Sequence, residues 1–292
     1  MKTLLQNKNN VYSNLNLLII TLIVFYFGLA VLFKQSISNF VQTVYELLFL
    51  LIVSLLIINL ISFIKGKNLR SILQSSFVFL FFAYFFGLSS KFQLIVHKDW
   101  LDSKLISIDK AIFGQELSLK LESIVTPYLT EAMMFAYVFY LPLLIITAIV
   151  VYKSANQKGL AEYLFVLSLG YIFCYIGFIL FPVASQMYFM FDKYSVPLEG
   201  GLFTYFSELI RNNLHFRGGS LPSPHCAAAT IILWASYKYN KNIFFVILPV
   251  VILLYISTVY GRFHYSMDVI IGILTGCLAI IISPLVLRFI DL

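Results

Sequence analysis

The sequence predicts an all-α polytopic membrane bundle of about eight transmembrane spans. Two observations carry that prediction. Of 292 residues, 61% are hydrophobic and only 11% charged, against about 25% charged in an ordinary globular domain. The mean hydropathy is +0.92, and the apolar residues gather into long runs. A soluble domain of this size has too little interior to hide that much apolar surface, and disorder is excluded by the same abundance. With 14 Gly and 3 Cys, neither a collagen-like nor a disulfide-stapled secreted scaffold is possible.

Measured against about 20 residues per spanning helix, the runs fall at roughly residues 14–34, 44–64, 71–89, 130–152, 160–181, 223–237, 243–260 and 266–288. The sixth is the shortest. Before the first run, residues 1–10 are polar and carry no cleavage-site pattern, so the first span is expected to serve as the signal. Phe77, Phe79, Phe81, Phe82 and Phe85 supply packing and lipid-facing bulk in the third.

Two connections are long. In residues 90–129, Leu94, Ile95, Trp100, Leu101, Leu105, Ile108 and Ile112 alternate with Lys98, Asp99, Lys104, Asp109 and Lys110, the pattern of an amphipathic helix lying at the membrane interface. In residues 182–222, Phe203 to Leu214 reads as a second interfacial helix before a turn at Gly218 and Gly219. With no internal repeat or low-complexity linker, the chain reads as one domain with three regions: peripheral helices over 1–90, an interfacial segment over 91–129 and a membrane core over 130–292.

The net charge is +7. The basic residues stand singly between apolar runs, so they read as topology signals and not as a nucleic-acid surface. Lys2, Lys8, Lys65, Lys67, Arg70, Lys153, Lys158, Lys238, Lys241 and Arg288 fall on one side, against Lys34 and Arg262 in the short loops of the other. The positive-inside rule then makes both termini cytoplasmic. Cys174, Cys226 and Cys277 lie in or beside apolar runs with no pairing pattern.

Ionisable groups at the ends of apolar spans are expensive and therefore candidates for function. Ser223-Pro224-His225 opens the sixth span. Ser is a favoured N-cap and Pro a favoured first helical residue, which sets His225 in a first turn where anions are favoured. Between the seventh and eighth spans, His264 and Asp268 are four residues apart and share a helical face. A carboxylate beside an imidazole fixes its tautomer and stabilises its charged form. Arg262 adds a planar fork suited to phosphate oxygens. Two crossings separate these stretches, so both lie on one face, the outer one by the charge count. His215, in the outer loop, is a candidate to enter the site but reads better as a solvated loop histidine; Cys226 reads as a small packing residue and His97 as an inert interfacial one.

These residues resemble the type 2 phosphatidic acid phosphatase superfamily, which carries P-S-G-H at the start of one core helix and S-R-x5-H-x3-D across the next two. Pro222-Ser223-Pro224-His225 matches the first except at Gly, and His264-x3-Asp268 matches the end of the second. Tyr260-Gly261-Arg262-Phe263-His264-Tyr265 looks like the inositol phosphorylceramide synthase-like branch. Ile108-Asp109-Lys110-Ala111-Ile112-Phe113-Gly114 and Thr130-Glu131 with Tyr137 and Tyr140 look like it too. The resemblance covers roughly residues 95–285. It implies a metal-independent, cofactor-free, two-step phosphoryl transfer on a lipid phosphate in the membrane. His264 would be the nucleophile, Asp268 its orienting partner and His225 the general acid and base. Ser223 and Arg262 would bind phosphoryl oxygens. Three departures stand out. Pro224 lacks the N–H of the family's Gly. Thr258 occupies the position of the family's Arg. The first family motif, K-x6-R-P, is absent, and Gln186 stands after the Phe181-Pro182 turn where the branch has Arg, so Gln186 would donate a hydrogen bond and Arg217 or Arg211 the cation. Water as acceptor gives a phosphatase; an inositol- or ceramide-type hydroxyl gives a headgroup transferase. A transporter or an inactive scaffold is the alternative from another class, but the polar residues collect at one face and no inverted repeat is visible.

Overall fold

The computed structural model describes residues 11–290. The polar leader and the positions of the two chain ends, which the sequence reading makes cytoplasmic, lie outside the described residues. Among those described, the secondary structure is helical with no strand: α1 (Ser13–Leu32), α2 (Phe40–Ser62), α3 (Lys67–Ser89), α4 (Asp102–Phe113), α5 (Leu117–Leu121), α6 (Pro127–Val138), α7 (Tyr140–Leu180), α8 (Gln186–Phe189), α9 (Leu202–Leu214), α10 (Pro224–Tyr239), α11 (Lys241–Tyr260) and α12 (Ser266–Ile290). The chain is an all-α polytopic membrane bundle. Among the described residues six helices are long and apolar enough to cross a membrane: α1, α2, α3 with its short extension to Phe92, α7, α11 and α12.

The difference between six helices and eight apolar runs has two physical sources. The first is α7, whose 41 residues contain a non-helical residue, Asn156, at φ 55° and ψ −154°. The Tyr140 hydroxyl bonds that of Tyr171, and the Tyr163 hydroxyl donates to the Leu144 carbonyl. Residues on either side of Asn156 therefore lie against each other, and the helix is a hairpin of two antiparallel segments matching the fourth and fifth runs. The second is α10, whose 16 residues rise about 24 Å, short of the ~30 Å hydrocarbon thickness. The fourth run also begins inside α6, a separate helix capped by Thr126, whose Oγ1 accepts the Leu129 N–H.

The centre of the bundle is the second half of α7 packed on α10 and α12, with Leu160, Leu164, Leu167, Cys174, Ala228, Ile231, Ile232 and Ala279 all buried. α10 and α12 approach closely because α12 carries glycines one turn apart. A Cβ on Gly272 would stand 2.7 Å from the Ser223 carbonyl oxygen, and one on Gly276 2.6 Å from that of Ala227. Small residues at a crossing let backbones meet in this way. The same contact brings the start of α10 to the start of α12, where the candidate site lies. At the opposite end of the bundle, Lys238 pairs with Glu162 at 2.6 Å, and Gln157 donates to the Lys67 carbonyl.

Two short amphipathic helices flank the site, too short to span. On α9, Leu202, Tyr205, Phe206 and Leu209 form an exposed apolar stripe. On α4 the faces run the other way: Asp102 and Asp109 are buried while Ile108 and Ile112 are exposed.

Candidate active site

His264 belongs to a tight turn joining α11 to α12. The Thr258 carbonyl accepts the backbone N–H groups of both Phe263 and His264 at 3.0 Å, so the residue at the family's Arg position holds this turn through its main chain. Arg262 adopts a left-handed φ of 65° to complete it. α12 starts at Ser266, which sets Asp268 in its first turn. Asp268 Oδ2 lies 3.3 Å from His264 Nδ1 and accepts the Tyr265 N–H at 3.0 Å. Ser220 joins them. Its hydroxyl donates to Asp268 Oδ2 at 2.5 Å and lies 3.1 Å from His264 Nδ1. With Nδ1 turned to this pair, Nε2 is the nitrogen left for a substrate. His264 is 4% exposed and Asp268 fully buried.

His225 sits at the start of α10. Ser223 caps that helix, accepting the Cys226 N–H on its Oγ at 3.4 Å, and its own N–H donates to the Asp268 carbonyl at 3.0 Å. That last bond ties the two histidine motifs together through the main chain. The His225 ring lies 5.9 Å from that of His264, centroid to centroid, and packs between Tyr137 at 5.0 Å and Tyr140 at 4.7 Å. Its buried Nδ1 has no hydrogen-bond partner among the described residues. In the first turn of α10, Pro224 has no N–H, Cys226 donates to the Ser223 hydroxyl and Ala227 to the Ser223 carbonyl. Among the described residues the His225 amide donates to no main-chain carbonyl, and a free amide in a first helical turn can meet an anion.

The other residues expected at the phosphate are placed less directly. The Arg262 guanidinium pairs with Glu122 at 3.0 Å, donates to the Val196 carbonyl at 2.5 Å and lies over the Tyr194 ring at 4.0 Å. Among the described residues no hydrogen bond or ion pair joins it to either histidine. Arg217 lies over Trp100. Gln186 is buried, and its amide donates to Glu116. Arg211, at the end of α9, donates to the Gly261 carbonyl at 2.9 Å and stands over the Phe263 ring at 4.9 Å, next to the His264 turn.

His215 corrects the expectation of a solvated loop residue. It is partly buried, its Nε2 lies 3.0 Å from the Tyr137 hydroxyl and its ring 5.5 Å from that of Phe263. Burial, reinforced by His264 and Arg211 nearby, pushes its pKa down to about 4, so it is neutral at pH 7. The imidazole follows a helix end by one residue, and nothing in the spacing of loop 182–222 shows that the loop folds back onto α6. His97 lies 3.0 Å from the Leu180 carbonyl, and Cys226 is buried in the α10 packing.

Taken together, two histidines face each other at one end of a helical bundle, one backed by a carboxylate and a hydroxyl, with a helix amide and an arginine nearby. No curated protein and no solved structure matches the chain. A family model, that of the PAP2 superfamily, matches residues 103–282.

Proposed function

The chain belongs to the PAP2 superfamily, whose members are generally phosphatases, and on that premise we propose that it is a phosphohistidine enzyme acting on a lipid-linked phosphate. His264 Nε2 attacks phosphorus, forming the N–P bond as the P–O bond to the leaving group breaks. His225 gives its proton to the leaving oxygen. Asp268, with Ser220, holds the Nδ1–H tautomer and stabilises the charge that His264 gains. In the second half-reaction His225 takes a proton from the acceptor, whose oxygen attacks the phosphohistidine and frees His264. The His225 amide and Arg211 meet the phosphoryl oxygens, and positioning with charge stabilisation is what such a transfer needs most. In this reading Ser223 acts as the α10 cap, while Arg262, Arg217 and Gln186 support the site's walls from their observed partners.

The observation that carries the proposal is the 5.9 Å separation of the His225 and His264 rings with Asp268 behind only one of them. It gives the two imidazoles unequal roles around one phosphoryl group. The basic end of the bundle lies opposite, so the positive-inside rule favours an active site on the outer face.

The test is phosphate release from a panel of lipid phosphates by purified protein in detergent with EDTA, beside His264→Ala. Release that survives EDTA and vanishes in the variant is expected. Full activity of the variant rejects the proposal. An alcohol acceptor, as in an inositolphosphotransferase, is the second reading. It is favoured by the Tyr260–Tyr265 stretch around the nucleophile, which looks like the inositol phosphorylceramide synthase-like branch. Added inositol or ceramide diverting phosphoryl or headgroup from water to the alcohol distinguishes it.

A further inference from the structure

The residues that follow His264 are gripped from outside the α10–α12 core. Asp102 and Asp109 lie seven residues apart on α4, two turns on one face, and both are fully buried. Asp102 Oδ1 accepts the Tyr265 hydroxyl at 2.9 Å, and its Oδ2 accepts the Ala184 N–H at 2.7 Å. Asp109 Oδ1 accepts the Ser266 hydroxyl at 2.5 Å. Tyr265 is itself fully buried, and its N–H donates to Asp268 Oδ2. A continuous path of hydrogen bonds thus runs from α4 through Tyr265 and Asp268 to His264 Nδ1.

These carboxylates are costly. Burial holds both Asp102 and Asp109 above the ordinary carboxylate range, and an amphipathic helix at a membrane surface would ordinarily turn its charges to water. Here the isoleucines face outward and the aspartates inward, toward the two residues after the nucleophile. The phosphoryl-transfer steps use neither carboxylate.

We propose that α4 is a clamp on the nucleophile turn. Asp102 and Asp109 are positioning residues that fix Tyr265 and Ser266 so that His264 Nδ1 stays on Asp268. The proposal rests on the phosphohistidine reading of the site. Neither aspartate touches the reacting atoms, so their loss lowers turnover without weakening substrate binding.

The test compares Asp102→Asn, Asp109→Asn, Tyr265→Phe and Ser266→Ala with wild type and His264→Ala, using full-length protein and dioleoyl phosphatidic acid in mixed micelles. Rates are divided by the amplitude of the phosphoenzyme burst, so a merely smaller folded fraction does not count as loss. The expected result is a kcat lowered about 10- to 100-fold, the scale of a misplaced reacting group, with KM changed less than about twofold. Asp102→Asn combined with Tyr265→Phe should be no worse than the worse single variant, because both break one link. Tyr265→Phe and Ser266→Ala keep the clamp readable where an aspartate variant fails to fold. Amide hydrogen exchange over residues 263–268 should rise in each variant while the α7 core stays protected; this readout needs no turnover. Unchanged exchange there, or kcat within twofold of wild type in Tyr265→Phe and Ser266→Ala, overturns the clamp. An active His264→Ala overturns the phosphohistidine reading instead and leaves the exchange result to decide the clamp.

Discussion

The Ser220 hydroxyl stands between Asp268 and His264, donating to the carboxylate at 2.5 Å and lying 3.1 Å from the imidazole nitrogen, while the direct separation of the two is 3.3 Å. The carboxylate therefore orients the imidazole partly through the serine. Ser220→Ala is expected to lower kcat roughly 3- to 10-fold, the worth of one ordinary hydrogen bond. Asp268→Asn is expected to lower it roughly 10²- to 10⁴-fold, as for loss of a group tied to acid–base chemistry. Steady-state kinetics of the two variants on one lipid phosphate checks the order; a larger loss for Ser220→Ala contradicts it.

Arg262 and Glu122 form an ion pair that is nearly closed to water, with 11% and 13% of their side chains exposed. Breaking such a pair leaves a charge without its partner. Glu122→Gln or Arg262→Gln should each lower stability by about 1–3 kcal/mol, and the double variant should lose less than the sum. Thermal melts of the detergent-solubilised protein measure this. If Arg262 binds phosphate instead, Arg262→Gln raises KM while the melting temperature stays put.

Gly272 has no room for a side chain, since a Cβ would stand 2.7 Å from the Ser223 carbonyl oxygen and 2.9 Å from Cys226 Cβ. Gly272→Val should force α10 and α12 apart and pull His225 away from the His264–Asp268 pair. A fall in kcat of at least ~10-fold, with a lower melting temperature, is expected from paired assays. Normal turnover would mean that the crossing does not set the histidine spacing.

His215 makes stability depend on pH. Its folded pKa is about 4 against an ordinary value near 6.5, so the unfolded chain binds its proton first as pH falls. Stability tied to His215 is whole above about pH 6.5 and is lost as pH falls toward 4, by up to ~3 kcal/mol. Buried Asp102, Asp109 and Glu116, with pKa values raised by burial, act in the opposite direction. Comparison with His215→Gln isolates the histidine: the variant should lose less stability than wild type between pH 7 and pH 4.5 in melts run side by side.

Composition and run length suffice to predict a helical membrane bundle, because a bilayer admits few other solutions. The hairpin at Asn156 is legible too, since residues 153–159 interrupt two apolar runs with Lys153 and Lys158. His225, His264 and Asp268 stand out because charged or polar groups at span ends are rare. The partners are another matter. Glu122 is 140 residues from Arg262, and no local pattern pairs them. Ser220 is a serine in a loop of small residues until the fold brings it to Asp268. On α4, amphipathic periodicity marks two faces but not which one turns inward. The ordinary rule buries the isoleucines. Between a polar site and lipid it is the aspartates that are enclosed.

The apolar stripe of α9, formed by Leu202, Tyr205, Phe206 and Leu209, adjoins the Arg211 end of the site. A substrate that arrives across such a stripe comes from the plane of the bilayer, a two-dimensional reservoir, and not from bulk water. Its supply then follows its mole fraction among the surrounding lipids. Diluting it with inert lipid would slow the protein even when the total amount per millilitre is unchanged.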